Sequence, residues 1–298
     1  MEFDEYSDLK ISDDLVSKGG NYREVHISGD GTINGDLNCK SFSVSGDGEI
    51  NGRVYCEELF KVSGDVEVNK SLTCGTLRIS GDGEFREDVL VNQEIKISGD
   101  ANIRGNITCG NIKVSGDIEA GKNLTCWGEV HISGDGSFGG TVKGKNVKIY
   151  GDIEDCEKLI GEEINIAGDV NVRGDIEGEK IFLRGAVRCD GLVNGDEIQI
   201  ASGEDSYINE MGGRVIKTIE GGGEIKLLGI PIHFKDSGKS CIHCEIIEGD
   251  EIHLTNTKAA IVRGKEITLG KGCNIDRVEY TKELKIEDDA VIKESVKL

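Results

Sequence analysis

The residues best spaced for chemistry are Cys241-Ile-His243-Cys244, a C-x-x-C with an internal histidine. Soft thiolate and imidazole ligands at that spacing suit zinc, and Cys273 or His253 would complete a tetrahedral set. A single pair without a second one is weak, and the plainer reading is structural thiols in an irregular turn. A longer file of thiols, Cys39, Cys56, Cys74, Cys109 and Cys126, recurs at a regular interval with Val91 in the missing slot. Valine in that slot marks a position for small apolar side chains, so the file reads as inert inward packing, although stacked neighbours have a disulfide-compatible separation. A third file is acidic: Asp30, Asp47, Asp65, Asp82, Asp100, Asp117, Asp135, Asp152 and Asp169. Calcium would suit it, yet no second ligand-bearing position accompanies it, so each Asp is expected to accept hydrogen bonds from its own turn and to be solvated. His26 and His131 occupy one repeated outward slot, and no nucleophile, base or acid pair converges in the sequence. No catalytic residue and no cofactor are expected, and the chain is not read as an enzyme.

All three files depend on a repeat. Gly-Asp recurs at Gly29, Gly46, Gly64, Gly81, Gly99, Gly116, Gly134, Gly151 and Gly168, at intervals of 17 or 18 residues. Four residues before each glycine stands an apolar side chain, from Val25, Phe42 and Phe60 to Ile164, and two before it another, from Ile27, Val44 and Val62 to Ile166. Apolar and polar residues alternate within each repeat, which means short strands with one buried face. Antiparallel hairpins would reverse the column order at every turn. The order instead returns unchanged, so the chain must coil and stack in register about 4.8 Å above itself. The expected fold is all-β: a single-stranded parallel β-helix with three short strands per turn of 17–18 residues around a triangular core. The extra residue of the longer turns falls at one corner, between Cys39 and Phe42 and between Cys56 and Phe60. Glycine is expected at corners because the backbone there is left-handed or otherwise crowded.

Three segments follow: an acidic tail or partial cap over 1–20, a regular coil over 21–205, and an irregular continuation with inserted loops over 206–298. In the last segment the strand signature continues as Ile225 and Leu227, Ile252 and Leu254, Ile267 and Leu269, then Leu284 and Ile286.

Composition bounds the partners. The 298 residues include 56 acidic against 35 basic ones, a formal charge of -21, with 43 Gly and one Pro. Phosphate chains and anionic lipid would be repelled, so nucleic acid is excluded and direct membrane contact is not expected. No apolar run is long enough to span a bilayer, and MEFDEYSDLKISDD lacks the features of a secretory signal. A cytoplasmic location is expected, with the ten Cys as thiols.

The stretch GGNYREVHISGDGTINGDLNCKSFSVSGDGEINGRVYCEELFKVSGD resembles the bactofilins, the bacterial polymer-forming cytoskeletal proteins. The resemblance rests on Gly19-Gly20-x-Tyr22, on the recurring Φ-x-Φ-Ser-Gly and Ile-Asn-Gly steps, and on the repeat length over about residues 19 to 185. It implies a right-handed coil and end-to-end, nucleotide-independent filaments. Unpaired backbone at each terminal turn gives such assembly a physical basis. The candidate polymer-interface residues are Val25 and Ile27 at one pole, with Leu284, Ile286, Val291 and Ile292 at the other. The expected function is a bactofilin-like cytoskeletal scaffold that assembles end to end and docks other cell-envelope or morphogenesis proteins along its charged faces. The alternative is a monomeric capped scaffold or sensor whose C-terminal third binds a partner or metal.

Overall fold

The computed structural model describes residues 3–220, 224–227, 230–233, 240–287 and 289–298. The described residues fall into two compact units, 1–148 and 149–298.

In the first unit the columns become stacked rows. Ile11, Ile27, Val44, Val62, Ile79, Ile97, Val114 and Ile132 are successive parallel partners, each on the next turn. All eight are at most 1% exposed. The adjoining row contains Val25, Phe42, Phe60, Leu77, Ile95, Ile112 and Val130, and within it the rings of Phe42 and Phe60 stack with centroids 4.3 Å apart. Each full burial of such a side chain stabilises the coil by about 1.5–3 kcal/mol, which is why strands as short as three residues, such as Gly83–Phe85, suffice once stacked. Register shifts fall between Cys39 and Ser41 and between Cys56 and Leu59, at the corner where the sequence places the extra residue.

The glycine of the Gly-Asp corner has a different cause from the one expected. Gly29 to Gly134 of that file are absent from the positive-φ residues, which among glycines are Gly35, Gly168, Gly185 and Gly272. What excludes a side chain is the turn below: a Cβ on Gly64 or Gly81 would overlap the carbonyl oxygen of Gly46 or Gly64. The crowding lies between turns rather than in the torsions of one residue.

The first turn is more complete than the sequence suggests. Leu9–Ile11 pairs with Val25–Ile27, and Leu15–Ile27 pairs along its length with Gly31–Val44. Ser17 lies opposite Ile33, and a register shift puts Gly20 opposite Leu37.

The second unit keeps rungs but not turn length. Ile164, Ile181, Ile198, Ile216, Ile252, Ile267 and Leu284 form one row, so the step from Ile216 to Ile252 holds far more chain than the step from Ile252 to Ile267. Ile225 and Leu227 are not part of it. Glu224–Leu227 pairs antiparallel with Ile230–His233 in a separate two-stranded sheet, between the coil strands Ser206–Glu220 and Ile242–Leu254 in sequence. Where the insertion departs, hydroxyls take over from the backbone ladder. The buried Thr218 Oγ1 receives the Thr255 N–H at 2.8 Å and lies 3.1 Å from Thr257 Oγ1, while Thr255 Oγ1 donates to the Thr218 carbonyl at 2.9 Å.

Candidate functional site

A closed coil satisfies its backbone everywhere except along its outermost strands, so those strands are the first place to seek a site. In the first unit, Leu9–Ile11 and Leu15–Tyr22 have a parallel partner on one side only among the described residues. Leu15 and Val16 stand on this edge 51% and 68% exposed. Val25 and Ile27 do not. They are buried one turn further in, covered by Leu9 and Ile11, so the apolar pole on this side is displaced by a turn from the sequence expectation. In the second unit, Val291–Lys297 pairs only with Asn274–Tyr280 among the described residues. Ile286 and Val291 are 55% and 56% exposed, and Leu284 and Ile292 are half-buried beside them.

The corner Asp file is hydrogen-bonded, but upward. Asp117 Oδ1 accepts the N–H of Asp135 at 3.1 Å, and Asp169 Oδ1 that of Ala186 at 2.9 Å, and Asp100 and Asp152 do the same, so these four carboxylates bridge to the next turn. The stacking distance places the next turn's N–H directly over the carboxylate. A second corner repeats the device with Asp36 to Arg53 N, Asp88 to Asn106 N and Asn123 to Thr141 N. Asp175 also takes the Leu192 N–H at 3.0 Å, and that bond, with Lys158, holds its carboxyl below the usual range.

The outward side chains of the first unit are sorted by face. Three residues before each corner glycine run His26, Ser43, Lys61, Arg78, Lys96, Lys113 and His131, each the lateral partner of the next. The second face carries Glu49, Glu67, Glu84, Asn102 and Glu119 in the same relation, and the third is neutral, with Tyr55, Thr73, Leu90 and Thr108. The signal was legible as a fixed offset from the Gly-Asp pair. Neighbouring like charges one turn apart repel by about 0.9 kcal/mol in water before screening. The Glu file is relieved by Arg86, which reaches Glu67 and Glu84, and by Arg104 at Glu84. In the cationic file, Lys96 pairs with Glu94 at 2.8 Å, whereas Lys61, Arg78 and Lys113 have no ion pair among the described residues.

The thiols are interior. Cys39, Cys56 and Cys74 are stacked partners, as are Cys109 and Cys126, and all ten cysteines are free. A hydrogen bond with Cys56, then burial, pushes the Cys39 thiol far up, and burial raises Cys74. Such thiols stay protonated and unreactive. Cys244 is buried, gives its S–H to the Ile246 carbonyl at 3.2 Å, and is pushed up to about 12 by desolvation. Cys241 is half-exposed, just before the strand Ile242–Leu254. Among the described residues no group of three or more His, Cys, Asp or Glu gathers as a metal site. Beside Cys244 an open groove of about 630 Å³ is lined by Arg188, Tyr207, Asn209, His243, Glu245 and Lys258, with the Tyr207 and His243 rings stacked at 4.8 Å.

Among the described residues no helix is long and apolar enough to cross a membrane. Residues 72–155 match the bactofilin family, described as polymer-forming cytoskeletal. Two proteins of Bacillus subtilis (strain 168) are similar in part. The uncharacterized protein YhbF is 43% identical over 60 residues, 20% of this chain and 26% of that protein. The uncharacterized protein YhbE is 36% identical over 101 residues, 34% of this chain and 40% of that protein. The chain thus spans between about a quarter and two fifths of these curated relatives' lengths. No solved structure matches. With the parallel coil and this match in hand, the resemblance read from the sequence is supported over residues 72–155, which are similar to the bactofilin family.

Proposed function

We propose that the protein is a cytoplasmic, bactofilin-like scaffold that assembles end to end into rods or filaments without nucleotide and docks other cell-envelope or morphogenesis proteins along its charged faces. One observation carries the reading: the outermost strands combine unpaired backbone with exposed apolar side chains, Leu15 and Val16 on one, Ile286 and Val291 on the other. Docking two such edges extends the ladder and buries these side chains, as an added strand does at any open sheet edge. Nothing in this step requires a nucleotide.

Negative-stain imaging of the purified chain tests it. Elongated polymers are expected, and Leu15→Lys with Val16→Lys, or Ile286→Lys with Val291→Lys, should shorten them to single subunits while the circular dichroism spectrum stays that of the parent. Monodisperse single particles at high protein concentration would count against assembly. The second reading, a monomeric capped scaffold or sensor whose C-terminal third binds a partner or metal, is favoured by the groove beside Cys244. Zinc binding by calorimetry that disappears in Cys241→Ser with Cys244→Ser, in a chain that stays monomeric, would support it instead.

A further inference from the structure

Residues 3–8 precede the ladder of the first unit and lie against the outer wall of the coil. Their order is reversed along it: Asp8 meets Arg23, Asp4 meets Lys40 one turn on, and Phe3 meets Tyr55 a turn beyond that. Arg23 donates to both oxygens of Asp8 at 2.9 Å, and Lys40 reaches Asp4 at 2.8 Å. Phe3 is 2% exposed, with the ring centroids of Tyr6 and Tyr55 at 6.2 and 6.3 Å. A 3-10 turn over Phe3–Glu5, closed by the Tyr6 N–H on the Phe3 carbonyl at 3.1 Å, brings two carboxylates four residues apart to cations one coil turn apart. The segment's own backbone is joined to the coil through the Ser7 carbonyl, which accepts the Arg23 N–H at 3.1 Å. Side chains supply the rest of the recognition, so what is recognised is a pattern that another chain can carry.

We propose that Arg23, Lys40 and Tyr55 form a docking site for a short acidic and aromatic segment of another protein, and that residues 3–8 occupy it as a built-in competitor. The segment already seated there states the chemistry the site takes: an aromatic side chain, an aspartate next to it, and a second aspartate four residues later. Charge selects the same class. Most of a surface with net charge -21 repels an acidic segment, and the two cations one turn apart hold it at this one place. Both ion pairs are exposed, hence individually weak and screened by salt, and the segment lies outside the ladder, so it exchanges without unfolding the coil. Its tether keeps it at a local concentration on the order of millimolar, so a free competitor binds the emptied site far better than the occupied one. The site lies on the neutral face and its corner. It therefore stands apart from the charged files and from end-to-end assembly, and the failure of either leaves it testable.

The probe is a fluorescein-labelled synthetic peptide that keeps Phe-Asp-x-x-x-Asp in a Gly-Ser background, titrated into the full chain by fluorescence anisotropy at low salt, about 0.05 M NaCl. The full-chain variant Phe3→Ala, Asp4→Asn, Asp8→Asn empties the site and should bind the peptide at least about tenfold more tightly than the parent. Adding Arg23→Gln with Lys40→Gln should abolish that gain, as should a peptide with Ala in place of Phe. Adding Lys61→Gln with Arg78→Gln instead makes the same change in net charge on a neighbouring face and should leave the gain intact. Circular dichroism checks that each variant keeps the parent's fold. A measurement on the parent needs no variant: saturating peptide should speed hydrogen exchange at the Tyr6 N–H, because a displaced segment opens its turn. Equal affinity of parent and emptied variant, no binding to the emptied variant, or binding indifferent to Arg23 and Lys40 would overturn the proposal. Pairing of the emptied variant with the parent chain in sedimentation, at concentrations where the peptide stays free, would also overturn it, in favour of a segment exchanged between two copies.

Discussion

The two units build the same ladder and turn its corners differently. In the first, the corner file is Gly-Asp, and glycine lies on glycine across successive turns with no room for a Cβ. In the second, that file continues only through Gly151, Gly168 and Gly185, and a further file, Gly178, Gly195, Gly213, Gly249 and Gly264, runs as lateral partners through strands such as Ile242–Leu254 and Thr257–Leu269, each 13 residues long. There the carbonyl of the glycine below is again the nearest neighbour, 2.8 Å from a Cβ placed on Gly264, and it is joined by Ile252 Cδ1 at 3.0 Å. The difference separates two quantities that the regular repeat fuses. The interval between corners is free to vary, and the register of the buried rungs is not.

The largest expected effect sharpens the core side of this comparison. Phe60→Ala removes a ring stacked on Phe42 and should cost about 4 kcal/mol, against about 3 kcal/mol for Ile267→Ala in the second unit, read by urea unfolding with tryptophan fluorescence and circular dichroism as separate probes. Equal losses would mean that the ring stack adds nothing beyond its area. Next come the corners. Gly81→Ala forces a methyl into a backbone carbonyl and should destabilise by about 3 kcal/mol. Gly264→Ala meets the Gly249 carbonyl at 2.8 Å and a movable isoleucine terminus, and should cost about 1 kcal/mol. A reversed order would break the contrast between the two corner designs.

A smaller effect is expected where the units agree. Asp117→Ala and Asp169→Ala each remove one acceptor for the next turn's N–H, and both should cost about 1 kcal/mol. A large difference between them would show that the shared Asp ladder is not equivalent in the two units. The smallest is a difference under acid. In the second unit, Arg263 and then Arg277 hold the Glu279 carboxyl below its ordinary 4.5, and His253 does the same for Glu251. In the first, the lowered carboxyls are Asp4 and Asp8 near its outer edge. A depressed carboxyl stabilises the fold above its unfolded value, and that contribution disappears as pH falls through the lower folded value. Hydrogen exchange at pH 7 and pH 3 should therefore show the rungs over 251–297 losing protection before those over 60–132. Simultaneous loss would contradict the placement of these pairs.

Much of the coil was legible because burial imposes one rule on every turn. Val25 and Phe42, or Ile27 and Val44, recur at a constant offset from glycine, and only stacked parallel strands keep such an order. The edges and the insertion were not legible for the same reason. Leu9 and Ile11 match the row, but Ser17 and Gly20 in the following slots hide a turn whose pairing is made by backbone. Ile225 and Leu227 match it by residue type yet belong to a local antiparallel pair, since alternation alone does not tell a rung from a hairpin arm. The corner glycines misled in a subtler way, because a sequence reports that a side chain is missing without reporting which atom forbids it. The cationic file is legible from Lys61, Arg78, Lys96 and Lys113 at a constant offset from the Gly-Asp pair, but His26, Ser43 and His131 share the column and break the charge pattern at both ends.

The three hydroxyls of Thr218, Thr255 and Thr257 have a consequence for how this molecule changes over evolutionary time. They tie the strand Ser206–Glu220 to residues 255 and 257 of the following turns, so the wall there is closed by side chains. A seam of this kind is a natural splice point. The step from Ile216 to Ile252 holds more chain than the step from Ile252 to Ile267 and the rungs still meet in register, so turn length at this seam is free to change while the ladder is kept.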